Sequence, residues 1–203
     1  MNADTNKNAT PRISRDSLLT LEAYAKQRND YRARVIAHKK TRRVRLGGHV
    51  TLAFEDETTL RYQIQEMLRI EKIFEEAGIQ AEIDAYSALV PDGANWKATM
   101  LIEYEDVEER RIALGKLRGI EDRVWIHVAG FPRVGAIADE DLERENDVKT
   151  SAVHFLRFEL TPPMVAAMKS GAALAIGVDH PAYEVTIAQV TAATRAALVA
   201  DLS

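Results

Sequence analysis

The sequence predicts an α+β fold in which N-terminal helices precede a mostly antiparallel sheet of about six strands with interposed helices. Two observations lead to this prediction. Apolar residues recur with the helical period in the N-terminal part, whereas most segments after residue 50 alternate with the strand period of two. In addition, no internal repeat or linker divides the 203 residues. We therefore expect a flexible tail over 1–13 and a single α+β domain over 14–203.

The N-terminal half contains mainly helical patterns. Asp16 is a suitable N-cap for the first helix, and Asn29 or Asp30 is suitable for the second. Gly78 suits the C-terminal end of a strongly amphipathic helix. The expected elements are, in order, helices over 17–27 and 29–40, a strand over 49–55, and helices over 58–77 and 79–90.

The C-terminal half alternates between strand and helix patterns. Asp106 is a suitable cap for one helix, and Pro162 and Pro163 suit the first turn of another. The acidic segment 139–149 is expected to be a solvated connection or a short helix. The expected strands cover 95–105, 123–130, 133–139, 151–160 and 172–180, and the expected helices cover 107–119, 161–171 and 182–203.

The composition is that of a globular protein and excludes several kinds of site. Hydrophobic residues make up 46% of the chain and charged residues 29%. No apolar run is long enough for a membrane span and the N-terminus lacks a signal-peptide pattern, so we expect a cytoplasmic protein. The chain has no cysteine, which excludes disulfides, thiol catalysis and cysteine-bound metals. A metal would have to be bound by histidine and carboxylates.

Charge is distributed unevenly along the chain. Residues 1–47 have a formal charge of +8 and the remainder −12, and five Lys or Arg lie within 39–45. Such a run is typical of docking to an acidic partner, of self-association or of nucleic-acid binding. Alternatively, the basic helix packs over the acidic remainder of the same chain, which would explain the basic run without a binding partner. The pI of 5.8 and the lack of a recognised motif argue against nucleic acid.

No enzyme motif that can be tested by spacing is present, so candidate residues come from periodicity. On the helix predicted over 58–77, Gln63 and Glu71 fall within the apolar stripe and Glu66 lies at its edge. A buried carboxylate needs a partner. For Glu71 we favour an arginine, such as Arg69 or Arg157, over a metal ligand or a catalytic role.

Two of the five histidines are predicted to point into the core. His154 and His180 are in phase with the apolar residues of their strands, whereas the others are not. One short helix separates these two strands, so we expect them to be neighbours in one sheet. If they are antiparallel, both imidazoles would lie at one end of the sheet, facing the helix that contains Glu71, whereas a parallel pair would put them at opposite ends. Hydrogen-bonded core histidines are the simpler alternative.

The metal hypothesis follows from these three residues. Glu71, His154 and His180 would form a two-His-one-carboxylate site for a divalent metal such as iron. The segment "VDHPAYE" adds polar residues at a strand end, where Asp179 could orient the His180 ring or merely satisfy backbone groups. The candidate cofactor-binding residues around the metal are Gln63, Glu66, Asp179 and Tyr183.

Several long segments of the chain carry a family resemblance. They are "RDSLLTLEAYAKQR", "RVIAHKKTRRVRLGGHVTLAFED", "YQIQEMLRIEKIFE", "PDGANWKATMLIEY", "GIEDRVWIHVAG", "KTSAVHFLRFEL" and "AIGVDHPAY". Together they resemble a bacterial domain-of-unknown-function family, number 3501, over about 15–183. The resemblance implies a gene context beside rubrerythrin-like proteins and iron–sulfur oxidoreductases, and thus peroxide defence or electron transfer. It implies no catalytic residues.

Three hypotheses about function result. The first is an accessory or binding protein that supports a rubrerythrin-like or iron–sulfur redox partner, with the basic N-terminal segment docking an acidic surface. The alternative is a metal-dependent redox enzyme or a metal- or cofactor-binding protein built on the His and carboxylate residues. The second alternative is nucleic-acid binding through 26–45. Self-association into a homo-oligomer is compatible with each.

Overall fold

A computed structural model of the chain describes residues 13–138 and 149–203, which form an α+β fold. The described helices are α1 Leu21–Lys40, α2 Glu57–Ile70, α3 Glu76–Ser87, α4 Val107–Lys116, α5 Pro162–Lys169 and α6 Ala192–Val199. The described strands are β1 Arg43–Leu46, β2 Val50–Phe54, β3 Asn95–Ile102, β4 Val124–Val128, β5 Val134–Gly135, β6 Ile137–Ala138, β7 Val153–Glu159, β8 Leu174–His180 and β9 Tyr183–Ile187. In these residues, no helix has both the length and the apolar character that crossing a membrane requires.

The chain divides into two compact units. The helical unit comprises residues 1–35 and 57–90, and the sheet unit comprises residues 36–56 and 91–203. The prediction of one domain over 14–203 stays a prediction. Residues 1–12 of the predicted tail, and nearly all of the acidic segment 139–149, lie outside the described residues.

The helical unit has its own apolar core, formed by one face of α2 and α3 and by residues before α1. Its buried members are Ile13, Leu18, Leu60, Ile64, Leu68, Ile79 and Ile83. α1 is one continuous helix, so the predicted break before Asn29 or Asp30 is wrong. The Thr20 hydroxyl accepts a hydrogen bond from the Ala23 amide at 3.2 Å, and this side chain rather than Asp16 satisfies an amide at the start of α1.

α2 ends earlier than its pattern predicts. The helix stops at Ile70, and Lys72 has a left-handed backbone with φ of 55°. A left-handed residue typically ends a helix, and here the residue is lysine instead of the predicted Gly78. Gly78 lies inside α3. Residues 71–75 form the turn between α2 and α3. The helix face predicted for them from periodicity therefore does not apply.

The sheet unit contains two antiparallel sheets. One has the strand order β1-β2-β3-β7-β6 and the other β5-β4-β8-β9. Residues 134–138 contribute β5 to the second sheet and β6 to the first, so one short segment joins both. The alternating inner faces pack into one core, which includes Phe54, Trp96, Phe158, Ile126 and Ile176.

The described residues form nine strands in two antiparallel sheets, where the sequence predicted a mostly antiparallel sheet of about six strands. β1 and β9 were not predicted, and residues 183–187 were expected to be helical because the segment that follows is rich in alanine. Val185, Thr186 and Ile187 are β-branched, which favours a strand. β7 pairs with β3 and β6, whereas β8 pairs with β4 and β9, so the prediction that β7 and β8 are neighbours is wrong.

Arg42, between α1 and β1, is buried in the sheet unit with only 2% of its surface exposed. Its guanidinium group uses every nitrogen, donating to three backbone carbonyls and to Asp201 and forming an ion pair with Asp56. These acceptors are the carbonyls of Phe54 (3.1 Å), Glu55 (3.2 Å) and Ala197 (3.2 Å), with Asp56 at 3.3 Å and Asp201 in a short contact. The planar fork of arginine suits such a set of acceptors, whereas a lysine would satisfy only part of it.

Two further groups complete the Arg42 cluster. His38 Nε2 lies 2.5 Å from the Asp56 Oδ2 atom that also faces Arg42. Burial raises the pKa of Asp201, while the Arg42 guanidinium acts in the opposite direction and favours the ionised carboxylate. The cluster thus joins the C-terminal end of α1, the end of β2 and the residues after α6.

Replacing Arg42 by alanine is expected to lower the free energy of unfolding by about 3–5 kcal/mol, because two poorly solvated carboxylates lose their shared cation. Arg43→Ala, at the neighbouring exposed position, is the control and is expected to change it by no more than about 0.5 kcal/mol. Urea denaturation at neutral pH measures both. A loss below about 1 kcal/mol for Arg42→Ala would contradict the role assigned to the cluster.

Candidate functional site

Glu71, the predicted carboxylate ligand, is exposed. It is the first residue after α2, just before the left-handed Lys72. The prediction of a buried Glu71 is wrong, because it extended the helical phase beyond the residue at which the helix ends. A solvated carboxylate at this position needs no partner.

Glu66, in α2, is a largely buried carboxylate that arginine holds in the helical unit. Arg28 forms a bidentate ion pair with it, with both N–O distances at 2.8 Å, and the Tyr24 hydroxyl donates to Oε1 at 2.7 Å. Arg69 adds a longer contact at 3.4 Å. The hydrogen bond from Arg28 is the main reason that the pKa of Glu66 is lowered to about 2. Burial and the bond to Glu66 raise the pKa of Tyr24.

Gln65, rather than Gln63, is the buried glutamine of α2. Gln63, predicted to lie within the apolar stripe, is half-buried. The Gln65 amide accepts from the Leu19 backbone N–H at 2.6 Å and donates to the Leu19 carbonyl at 3.3 Å. This side chain thereby binds the segment that precedes α1, a role that helical periodicity alone does not reveal.

His154 points into the core of the sheet unit, as predicted, and is fully buried. Its Nε2 atom lies 2.9 Å from the Thr150 hydroxyl, 3.0 Å from the Ser151 carbonyl and 3.7 Å from Glu121. A carbonyl can only accept, so Nε2 carries the proton. The buried Glu121 carboxylate also accepts from Thr150 at 3.2 Å. Sequence reasoning missed Glu121 and Thr150, because neither belongs to a strand pattern.

His180 also points inward, as predicted, with 9% of its surface exposed. Its Nε2 donates to the Arg118 carbonyl at 3.0 Å, and its Nδ1 accepts from the Ala182 backbone N–H at 3.2 Å. Both ring nitrogens are therefore engaged, and neither is available to a metal without the loss of a hydrogen bond.

The two histidines contact the same connection from different sheets. His154 reaches Glu121 and His180 reaches Arg118, both in the segment between α4 and β4. Among the described residues, however, no three His, Asp or Glu side chains form a group that could hold a metal ion. The structure does not bring Glu71, His154 and His180 together in this way, and each histidine has the hydrogen-bonded environment of a core residue.

Asp179 does not orient the ring of His180. Successive residues of a strand point to opposite faces, and Asp179 is exposed while its neighbour is buried. Its carboxylate pairs with Arg133 at 2.6 Å, and the Arg133 guanidinium lies 3.7 Å from the centre of the Trp125 ring. The Trp125 indole in turn covers Gly177, where a Cβ would approach the ring to 2.3 Å. Asp179 thus stabilises the outer face of this sheet.

Tyr183 joins the β1–β2 hairpin to β9. Its hydroxyl donates to the Leu46 carbonyl at 2.5 Å and accepts from the His49 backbone N–H at 3.0 Å. Gly47 is left-handed, with φ of 70°, and a Cβ there would lie 2.7 Å from this hydroxyl. The close approach requires glycine. The oxygen of Tyr183 is thus occupied by contacts within the fold.

The outward-facing part of the basic run is the remaining candidate site. We call it the basic surface and define it as Lys39, Lys40, Arg43 and Arg45. Lys40, Arg43 and Arg45 are exposed, and the two arginines share one face of the edge strand β1. The Arg45 guanidinium donates to the Gly47 and Gly48 carbonyls at 3.3 and 2.7 Å, which restricts its position. Such a surface can bind anions and acidic surfaces.

Glu66→Gln is expected to lower the free energy of unfolding by about 2 kcal/mol at pH 7, because it removes the charge from a bidentate ion pair. Since the pKa of Glu66 in the folded protein, about 2, lies below the usual glutamate value of 4.5, this contribution is present above pH 4.5 and is lost as the pH falls toward 2. Urea denaturation at pH 7 and pH 2.5 measures it. The control Glu71→Gln should be neutral, and an equal effect of both variants would contradict the assignment.

Comparisons with known proteins agree with the resemblance found in the sequence. No curated protein matches the chain. The crystal structure of a novel protein of unknown function from Burkholderia pseudomallei is 61% identical and covers 95% of this chain and 100% of its own, with a TM-score of 0.90. A family model matches residues 12–202. The chain therefore belongs to DUF3501, a family of proteins of unknown function.

Proposed function

We propose that this chain is an accessory protein that docks an acidic redox partner through the basic surface. The partner would be a rubrerythrin-like or iron–sulfur protein, and the process would be peroxide defence or electron transfer. The observation that carries the proposal is the division of the basic run. Arg42 is folded into the core as a structural cation, whereas Lys40, Arg43 and Arg45 face outward within a few residues of it.

The charge of this region supports an acidic partner. The segment 1–47 has a formal charge of +8 within a chain that is acidic overall. Complementary charge across an interface accelerates association and selects the partner, even where it adds little affinity. The position of Arg43 and Arg45 on an edge strand also prevents unwanted strand pairing, a role that agrees with docking through side chains.

The environment of the polar residues favours binding over catalysis. Glu66 is fully engaged by Arg28 and Tyr24, and the oxygen of Tyr183 bonds to the β1–β2 hairpin. His180 uses both ring nitrogens within the fold. Residues that act as acids, bases or metal ligands need an atom that faces substrate or metal. These side chains have contacts typical of structural residues.

The triple variant Lys40→Glu, Arg43→Glu and Arg45→Glu is expected to weaken binding to a rubrerythrin-like partner at least tenfold at low salt. It should also flatten the salt dependence, since the screened attraction is lost. Surface plasmon resonance at 50 and 300 mM NaCl measures both effects. The control Arg111→Glu, Lys116→Glu and Lys169→Glu changes the net charge equally at other exposed positions and should retain binding.

Two outcomes would replace this proposal. Equal losses in the two triple variants would show that net charge, and not the basic surface, controls association. Binding of an oligonucleotide through the basic surface, without partner binding, would favour the nucleic-acid alternative. Elemental analysis of purified protein tests the metal alternative, for which one bound metal per chain is the expected sign.

A further inference from the structure

The turn between α2 and α3 exposes two large apolar side chains. Phe74 is 71% exposed and Ile70 is 57% exposed, and Phe74 has the highest value among the large hydrophobic residues that the structure describes. Glu71, Lys72 and Glu75, beside them in the chain, are exposed as well. We define the acidic–apolar turn as Ile70, Glu71, Phe74 and Glu75. Apolar side chains grouped at a surface are typical of an interaction site.

The backbone presents this turn in a defined conformation. Lys72 is left-handed, and the Ile73 amide donates to the Leu68 carbonyl at 2.9 Å. The Ile73 side chain packs against the apolar core of the helical unit, whereas Phe74 is not part of that core. Because the backbone is held on its inner side, little backbone freedom is lost when a partner covers Phe74.

The charge around these apolar residues favours a basic partner. Residues 71–87 contain five carboxylates and one lysine, which gives a formal charge of −4. Arg15 pairs with Glu76 at 3.3 Å and thus offsets one of these carboxylates. An excess of negative charge beside exposed apolar side chains complements a surface that combines cations with an apolar residue.

The basic surface has this complementary composition. Lys40, Arg43 and Arg45 are exposed there. Ile36, which is 43% exposed, precedes Lys40 by four residues on α1, so the two side chains lie on the same face of the helix. The chain therefore contains two exposed surfaces that each combine apolar and charged residues, with charges of opposite sign.

We propose that the acidic–apolar turn of one copy of this chain binds the basic surface of a second copy. Phe74 packs against Ile36, and the two glutamates of the turn face the cations of the basic surface. Because the two surfaces differ, the contact closes into a dimer when both copies use it reciprocally and forms longer assemblies otherwise. This inference goes beyond the docking function, since self-association covers the basic surface and competes with a redox partner for it.

Paired charge reversals test the contact. Glu71→Lys with Glu75→Lys reverses the turn, and Lys40→Glu with Arg43→Glu reverses the basic surface. Each double variant is expected to weaken self-association at least tenfold in 50 mM NaCl. An equimolar mixture of the two double variants is expected to restore association, because each reversed surface then meets one of opposite charge. Phe74→Ser, which keeps every charge, is also expected to weaken association.

Sedimentation velocity measures the association, and a thermal melt verifies that each variant is folded. The unmodified chain is expected to shift from one copy toward two or more between about 1 and 500 µM, the range of a weak interface. Two control variants make the same changes in net charge at other exposed positions and should associate normally. They are Glu105→Lys with Glu184→Lys, and Arg111→Glu with Lys116→Glu.

Three results would overturn the proposal. They are an unmodified chain that stays monomeric up to 500 µM, a mixture of the two reversed variants that stays monomeric, and association that Phe74→Ser and both reversals leave unchanged. No redox partner takes part in these measurements, so their failure is distinct from a failure of the docking function.

Discussion

The burial of one guanidinium group determines much of the sheet unit. Arg42 cannot be neutralised, so its burial requires carboxylates and carbonyls around it. Asp56 and Asp201 supply the negative charge, and they come from chain segments 145 residues apart in numbering. Because these segments must converge on Arg42, the end of α1, the end of β2 and the residues after α6 are held together. Lys40, Arg43 and Arg45 of the same run lie on the outside.

Hydrogen bonds within the fold also account for several other buried or half-buried polar residues. Glu66, Gln65, His154 and His180 each meet a defined partner, and most of these partners are backbone groups or residues in connections. Buried polar groups are stable only when they are bonded, so their presence in a core is no sign of catalysis. What remains available for function is charge on the surface. The proposed docking function accordingly uses exposed lysines and arginines of the basic surface.

The strand pattern of the sequence correctly predicted the inward direction of His154 and His180 and the positions of β2, β3, β4, β7 and β8. The pattern failed where the backbone departs from the conformation that the surrounding residues favour. Lys72 ends α2 in a conformation that is rare for lysine, and Glu71 consequently lies outside the helix. β9 is held by pairing with β8, which outweighs the helical composition of its surroundings.

The sequence by itself determined the fold class, the location of most elements and the inward faces of several strands, because these depend on local backbone period. Only the tertiary structure decided which polar residues meet. Arg42 and Asp201, or Arg28 and Glu66, are distant in the chain, and nothing in their spacing relates them. The strand order is likewise set only in three dimensions. β7 and β8 belong to different sheets although one short helix connects them in the chain. Pairing depends on how chain segments converge in space, and no local pattern contains that information.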